Sequence, residues 1–138
     1  MTRNEARETL MQLLFELETA KDIENGDAAD KGVRLIGERM SGGHVSRCTD
    51  LFNQIIENLD EIDEEINVNS TKWKTARMPK VDLAIMRLAV GEMKYSQDVP
   101  HAVVINEAIN LAKKYSTDHS AKFLHGVLGA ISKKYSGD

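Results

Sequence analysis

Apolar residues recur at helical spacing along nearly the whole chain, and this repeat is the strongest constraint on the fold. Positions three or four apart share one face of a helix, whereas a half-buried strand needs alternation with a period of two. The first helical stripe consists of Ala6, Leu10, Leu13, Leu14 and Leu17. No segment keeps a period of two, and no Asn-Gly or Asp-Gly pair separates two β-branched runs. The pattern predicts an all-α protein.

Turn-forming residues divide the apolar stripes into about seven helices. The breaks are predicted at Asn25-Gly26-Asp27, Gly42-Gly43, Asn67 to Pro79, Pro100 and Ser116-Thr117, of which the last should cap the final helix. The break that ends at Pro79 is the longest and marks the expected internal boundary. We therefore predict two small helical bundles packed together, an N-terminal subdomain of about residues 1–68 and a C-terminal subdomain of about residues 69–138.

Two glycines interrupt the apolar stripe of the last helix. Gly126 and Gly129 each cost about 1 kcal/mol relative to alanine inside a helix, so their presence asks for a packing reason. We expect the backbone of another helix to approach closely at Gly126.

The length and composition fit a single cytoplasmic domain. A chain of 138 residues is long enough to bury a core. Charged residues near the start, such as Arg3 and Glu5, exclude an apolar signal segment, and no apolar run is long enough to span a bilayer. Cys48 is the only cysteine, which excludes an intramolecular disulfide. A cytoplasmic location without a membrane partner is therefore expected.

The formal net charge of −4 conceals an asymmetry between the two halves of the chain. Residues 1–70 carry 7 positive and 16 negative side chains, whereas residues 71–138 carry 11 positive and 6 negative ones. The simpler interpretation is a solvated acidic helix face from Asp60 to Glu65. The functional interpretation is a polyanion-binding surface drawn from the second half and the extreme N-terminus, because local patches set the field that a phosphate experiences.

The sequence carries no signature of an enzyme or of a metal site. No two of its four histidines have the i, i+4 spacing of a helical zinc site. His125 lies beside an apolar stripe and is expected to be partly buried and hydrogen-bonded. No nucleophile–base arrangement and no glycine-rich phosphate loop is present. We expect a protein without catalytic activity, metal or cofactor.

Two arginines on the first helix form the first candidate site. Arg3 and Arg7 are four residues apart, on the face opposite the leucine stripe. Side by side they could bind phosphates or a base edge. The alternative is a pair of solvated arginines that form ion pairs with Glu5 or Glu8, and the residues alone leave both interpretations open.

A second group of candidates lies in the C-terminal half. The fifth helix is predicted to carry a solvent face made of Lys80, Arg87, Gly91 and Lys94. Further along, Lys113 and Lys114 precede Tyr115, and an aromatic ring beside lysines suits stacking on a single-stranded base. The alternative for Tyr115 is a core position, because the residue continues the apolar stripe of its helix. A core position is favoured unless the ring lies at the edge of that stripe.

Several stretches between Trp73 and Leu128 resemble, in order and spacing, the NusB family of transcription antitermination factors. They read Trp73-Lys74-Thr75-Ala76-Arg77-Met78-Pro79, Val81-Asp82-Leu83-Ala84-Ile85-Met86-Arg87-Leu88-Ala89, Glu92-Met93, Val103-Val104-Ile105-Asn106-Glu107-Ala108, Leu111-Ala112-Lys113 and Lys122-Phe123-Leu124-His125-Gly126-Val127-Leu128. Each stretch is degenerate alone, but their order makes the resemblance specific. In the last helix His125-Gly126 stands for an Asn-Gly pair of the family, and Gly129 stands for an acidic residue.

The resemblance implies an all-helical protein that binds boxA-type single-stranded RNA in leader and ribosomal RNA transcripts. Binding would occur jointly with NusE, a ribosomal small-subunit protein, and the complex would join the elongating RNA polymerase and suppress termination. The resemblance also implies which residues contact RNA: Arg3, Arg7, Arg87 and Tyr115, with Lys113 and Lys114 adding charge. Asn4 and Glu5 stand where the family often has further arginines, so RNA binding is expected to depend on NusE.

Two other interpretations remain open at this stage. A NusB-like domain also precedes the catalytic domain of some ribosomal-RNA cytosine methyltransferases, but 138 residues leave no room for a cofactor-binding sheet, so a stand-alone factor is expected. The other interpretation is a helical protein-interaction module, or a homodimer, without direct RNA contact. The amphipathic stripes alone would suffice for either.

Overall fold

A computed structural model describes residues 1–136 and contains eight α-helices and one 3-10 turn in that range. The helices are α1 (Arg3–Thr19), α2 (Asp22–Asn25), α3 (Ala28–Arg39), α4 (Gly43–Glu57), α5 (Leu59–Asn69), α6 (Lys80–Tyr95), α7 (His101–Tyr115) and α8 (Asp118–Ser136). The 3-10 turn spans Thr75–Arg77. The all-α prediction is confirmed. The additional helix is the four-residue α2, which lies in the segment before the predicted turn at Gly26.

The helix ends follow from local side-chain chemistry. At the start of α1 the Thr2 hydroxyl accepts from the Glu5 backbone N–H, and the Glu5 carboxylate accepts from the Thr2 N–H, which satisfies two otherwise unpaired donors. The predicted cap of α8 is confirmed, because the Thr117 hydroxyl accepts from the Ser120 N–H at 3.0 Å. Pro79 and Pro100 stand directly before α6 and α7, where a missing N–H costs nothing.

The centre of the fold is α6, which packs against α1, α4, α5, α7 and α8. Its residues from Asp82 to Met93 are all buried, so most of the helix has no solvent face. The predicted solvent face is therefore wrong at Arg87 and Gly91, although Lys80 at the start of the helix is exposed. The sequence pattern showed one apolar stripe on α6. It could not show that α4 and α5 cover the opposite side.

A close helix contact occurs at Gly91 rather than at the two glycines of α8. A β-carbon built at Gly91 would lie 2.6 Å from Cδ1 of the buried Ile55, so α4 approaches α6 closely at this point. The expectation of a close approach at Gly126 is wrong, because a β-carbon there, or at Gly129, would meet no atom within 4 Å.

We expect Gly91→Ala to destabilise the protein by about 1–3 kcal/mol, the usual cost of forcing an extra methyl group into a packed interior. Urea unfolding followed by circular dichroism would measure this loss. Gly37→Ala is the matched control, since Gly37 is exposed on α3 with free space around it, and this change should stabilise α3 by up to about 1 kcal/mol. Equal stability of the two variants would contradict the close contact between α4 and α6.

The buried apolar side chains form one connected core, which runs from Ala6 on α1 to Ile131 on α8. It includes large residues from both halves of the chain, such as Phe52 on α4 and Ile85 on α6. The division into subdomains at residues 68 and 69 stays a prediction.

Candidate nucleic-acid interface

The side chains predicted to contact RNA occupy three different environments, and only some of them are exposed. Arg3, in the first turn of α1, keeps the exposure that the sequence predicted, with 41% of its side chain accessible. Its guanidinium forms an ion pair with Asp98, in the segment between α6 and α7, at 3.1 Å. The hydrogen bond and the positive charge of Arg3 lower the pKa of the Asp98 carboxyl.

Arg7 lies in the interior, and its predicted exposure is wrong. Only 7% of the residue is accessible, and its guanidinium forms a two-pronged ion pair with Glu92 of α6, with Nε–Oε1 and Nη2–Oε2 distances of 2.7 and 3.0 Å. The remaining Nη1 donates to the side-chain amide oxygen Oδ1 of Asn4 at 2.6 Å. Burial alone would lower the pKa of Arg7, but the hydrogen bonds and charge of Glu92 raise it above its ordinary value. Arg7 therefore remains charged and links α1 to α6 through a buried ion pair.

Arg87 is also buried and also forms ion pairs between helices, so its predicted exposure is wrong as well. The residue is 6% accessible, and it donates to both carboxylate oxygens of Asp63 on α5 at 2.9 and 2.7 Å. Its Nη1 also donates to Glu18 of α1 at 3.1 Å. Burial works to lower its pKa, but the hydrogen bonds and charges of Asp63 and Glu18 raise it. All three nitrogens of the Arg87 guanidinium are thus already hydrogen-bonded to carboxylates.

The C-terminal end of α7 is the exposed part of the predicted site. Tyr115 is 36% accessible and lies outside the connected core, so the core interpretation of this residue is wrong. Lys113 and Lys114 are also exposed, and Lys114 Nζ lies 5.3 Å from the centre of the Tyr115 ring. Gln12 of α1 donates to the Tyr115 hydroxyl at 2.9 Å. An amphipathic ring with cations beside it is suited to stacking on an unpaired base.

Glu8 of α1 is also part of this arrangement. Its Oε1 accepts a hydrogen bond from Lys114 Nζ at 2.7 Å and a second from the Tyr115 hydroxyl. These two hydrogen bonds hold the pKa of the Glu8 carboxyl below its usual range, so the group is ionised at neutral pH. The hydrogen bond that the Tyr115 hydroxyl donates to Glu8 also raises the pKa of the Tyr115 phenol.

Sequence reasoning missed an aromatic cluster near the start of α8. The Trp73 ring stands edge-on to Phe123, with ring centres 5.1 Å apart, and edge-on to His119 at 6.1 Å. Lys72 Nζ lies 5.0 Å from the centre of the Trp73 ring. An adjoining open groove of about 450 Å³ is lined by Lys72, His119, Lys122 and Phe123, among others. The available signal was a tryptophan between Lys72 and Lys74, the same pattern of an aromatic beside lysines that identified Tyr115.

In the part of the chain that the structure describes, the histidines do not converge with other potential metal ligands. Within residues 1–136, no three histidine, cysteine or acidic side chains are arranged to hold a metal ion. His44 is hydrogen-bonded to the Met1 carbonyl and His101 to the Ser132 hydroxyl, each at 2.9 Å. His125, expected to be partly buried, is exposed. In the same described part of the chain, no helix combines the length and apolarity needed to cross a bilayer.

An apolar groove of about 570 Å³ adjoins Tyr115 on the side of α1. Met11, Phe15, Val81 and Tyr115 form its apolar and aromatic lining, and Gln12, Glu16 and Arg39 its polar rim. Arg39 of α3 forms an ion pair with Glu16 across α1 and α3. A groove of this composition, open to solvent, is suited to binding another macromolecule beside the cationic end of α7.

Related sequences match over nearly the whole length of the chain. A relative described as transcription antitermination protein NusB from Clostridium botulinum (strain Kyoto / Type A2) is 39% identical, with 95% of this chain and 99% of that protein covered. A protein of the same description from Agathobacter rectalis is 42% identical, with coverage of 96% and 100%.

Solved structures share the fold. The structure of T. maritima NusB superposes with a TM-score of 0.86 at 31% identity, covering 97% of this chain and 92% of that one. A structure of the antitermination factors NusB and NusE in complex with dsRNA gives a TM-score of 0.78 over 98% of this chain and all of that one. Its identity is 24%, so this second likeness supports the fold alone. The model of the NusB family matches residues 4–133, and together with relatives of 39% and 42% identity this establishes that the chain belongs to the NusB family.

Proposed function

We propose that this protein is a cytoplasmic transcription antitermination factor that binds boxA-type single-stranded RNA together with NusE and joins the RNA polymerase elongation complex, including on ribosomal RNA operons. The observation that carries this proposal is the match to the NusB family over residues 4–133. Relatives that match 95% and 96% of the chain are described as transcription antitermination proteins. A solved structure with the same fold contains NusB and NusE in complex with dsRNA.

The exposed cations and ring at the end of α7 support direct RNA contact. Lys113 and Lys114 can neutralise phosphates, and the Tyr115 ring can stack on a base because one-third of the residue is accessible. Arg3 adds an exposed guanidinium at the start of α1. We assign direct contacts to these residues and extend the RNA surface to the cluster around Trp73, where rings and lysines again stand together.

Arg7 and Arg87 enter the proposal in a different role. Contact with RNA, predicted for both from the sequence, would require Arg7 to leave the buried Glu92 and Arg87 to leave the half-buried Asp63. An uncompensated buried carboxylate is costly, so these pairs are poor sources of free cations. We assign both arginines to positioning: they hold α1 in register against α6 and thereby place Arg3 and Glu8 at the RNA surface.

The alternative is a protein-interaction module or a homodimer without direct RNA contact. The groove beside Tyr115 favours a protein partner, because its lining combines Met11, Phe15 and Val81 with a charged rim. This groove is compatible with the antitermination proposal if NusE occupies it. The alternative differs in one respect, since it expects no affinity for RNA with or without NusE.

We expect this protein and NusE together to bind boxA RNA more tightly than either does alone. If both ligands favour the same arrangement of the protein, the coupling should be about 1–3 kcal/mol, or roughly 5- to 150-fold in affinity, and reciprocal. Titration of a labelled boxA oligonucleotide at fixed salt, with and without saturating NusE, measures it, with an RNA of scrambled sequence as the control. Equal affinities with and without NusE would reject the cooperative model, and no binding in either case would favour the interaction module.

The same titration assigns the role of Tyr115 through two variants. Tyr115→Ala should lose about 1–3 kcal/mol of RNA affinity with little change in the salt slope of log K, because stacking displaces no counterions. Tyr115→Phe keeps the ring and should lose much less. Equal losses in the two variants would assign the effect to the hydroxyl rather than to stacking.

A further inference from the structure

Glu8 places a negative charge within the proposed RNA surface. Glu8 and Gln12 are one helical turn apart on α1, and both face the end of α7. The Glu8 carboxylate accepts from Lys114 and from the Tyr115 hydroxyl, and the Gln12 amide donates to the same hydroxyl. Three quarters of the Glu8 side chain is shielded, whereas 61% of the Lys114 side chain is accessible. The Glu8 carboxylate therefore lies beneath the Lys114 ammonium group and the Tyr115 ring, the two groups to which we assign RNA contact.

This arrangement reduces the field that an approaching phosphate experiences. A carboxylate oxygen 2.7 Å from Lys114 Nζ offsets part of the positive charge that an approaching phosphate experiences. The Tyr115 hydroxyl is held by α1, which sets where the ring can meet a base. Lys114 offers its full charge to a phosphate only when it releases Glu8. Lys113 is also exposed and is not a partner of Glu8.

We propose that Glu8 acts as a charge gate at the RNA surface. In the free protein Glu8 engages Lys114 and Tyr115, and on binding it gives up Lys114 to an RNA phosphate. The affinity for RNA is therefore lower than it would be if Lys114 were unpaired. The proposal rests on the proposed RNA-binding function and deepens it. The gate lowers the attraction of this surface for any polyanion, on a chain whose formal net charge is already −4. An RNA gains the full charge of the second lysine only when it replaces Glu8.

Glu8→Gln tests the gate, because glutamine keeps the size and a hydrogen-bond acceptor but removes the charge. With NusE present, the variant should bind boxA RNA about two- to fivefold more tightly, the range measured for exposed ion pairs. The dependence of log K on log salt should stay close to that of the wild type, since Lys114 neutralises the same phosphate in both complexes and displaces the same counterions. Glu57→Gln, at an exposed position on α4, makes the same change in net charge and is the matched control.

A second measurement tests the contact without RNA. The ionised Glu8 carboxylate favours the protonated phenol, so Glu8→Gln should lower the pKa of Tyr115 in a titration of phenolate absorbance, with Tyr115→Phe identifying its contribution. An unchanged phenol pKa would overturn the arrangement itself. If wild-type protein binds RNA but Glu8→Gln raises the affinity no more than Glu57→Gln does, the gate is rejected while the function stands. If wild-type protein and NusE bind no boxA RNA, both the function and the gate fail.

Discussion

Ile85→Asp is expected to unfold the protein. Ile85 is 1% accessible at the centre of α6, the helix that contacts most of the others. An unpaired carboxylate in that position costs several kcal/mol, against a total stability of about 5–15 kcal/mol for a domain of this kind. Thermal melting followed by far-ultraviolet circular dichroism should show loss of the cooperative transition.

The control for this variant is Val103→Asp. Val103 is 44% accessible in the first turn of α7, where an acidic side chain interacts favourably with the helix dipole, so this change should leave the melting temperature nearly unchanged. A wild-type melting temperature for Ile85→Asp would mean that α6 is not the central helix.

Glu92→Leu is expected to cost about 3–5 kcal/mol, because it leaves the Arg7 guanidinium buried without its carboxylate. The double variant Arg7→Met with Glu92→Leu should recover most of that loss, since an apolar pair of similar volume can replace a buried ion pair. Urea unfolding of the two single variants and the double variant forms a cycle that measures the coupling.

The exposed pair between Arg34 and Glu38 on α3 is the matched control for this cycle. Both side chains are more than half accessible, so Glu38→Leu should change stability by less than about 0.5 kcal/mol. A loss below about 1 kcal/mol for Glu92→Leu would contradict the burial of Arg7. Such a result would return Arg7 to the exposed face that the sequence predicted, and with it to direct RNA contact.

The helices themselves could be predicted from the sequence because the interactions that form them are local. The spacing of Leu10, Leu13 and Leu17 selects a helix, and the cap at Thr117 needs a hydroxyl only three residues from the N–H it binds. The four-residue α2 was missed, because a single turn has too few residues to show a repeat.

The candidate site was only partly accessible from the sequence. Arg3 was predicted as a surface residue and is exposed, whereas the residues alone favoured a core position for Tyr115, which is exposed as well. Arg7 sits one turn after Arg3 on the same side of α1, and nothing local distinguishes the two. The difference arises because α6 covers that side at Arg7 and ends before it reaches Arg3, whose partner Asp98 lies beyond the end of α6.

The sequence by itself thus determined the all-α class and the apolar stripes, and its resemblance to NusB pointed to the family. The tertiary structure decided which charged residues are available to a ligand. An apolar stripe shows that one face of a helix is buried, but a central helix such as α6 is covered on its other faces too. A buried cation requires an acid from a distant segment: Arg87 finds Asp63 and Glu18, which are 24 and 69 residues away in the chain. Such pairs follow from the packing of helices and leave no periodic signal in the sequence.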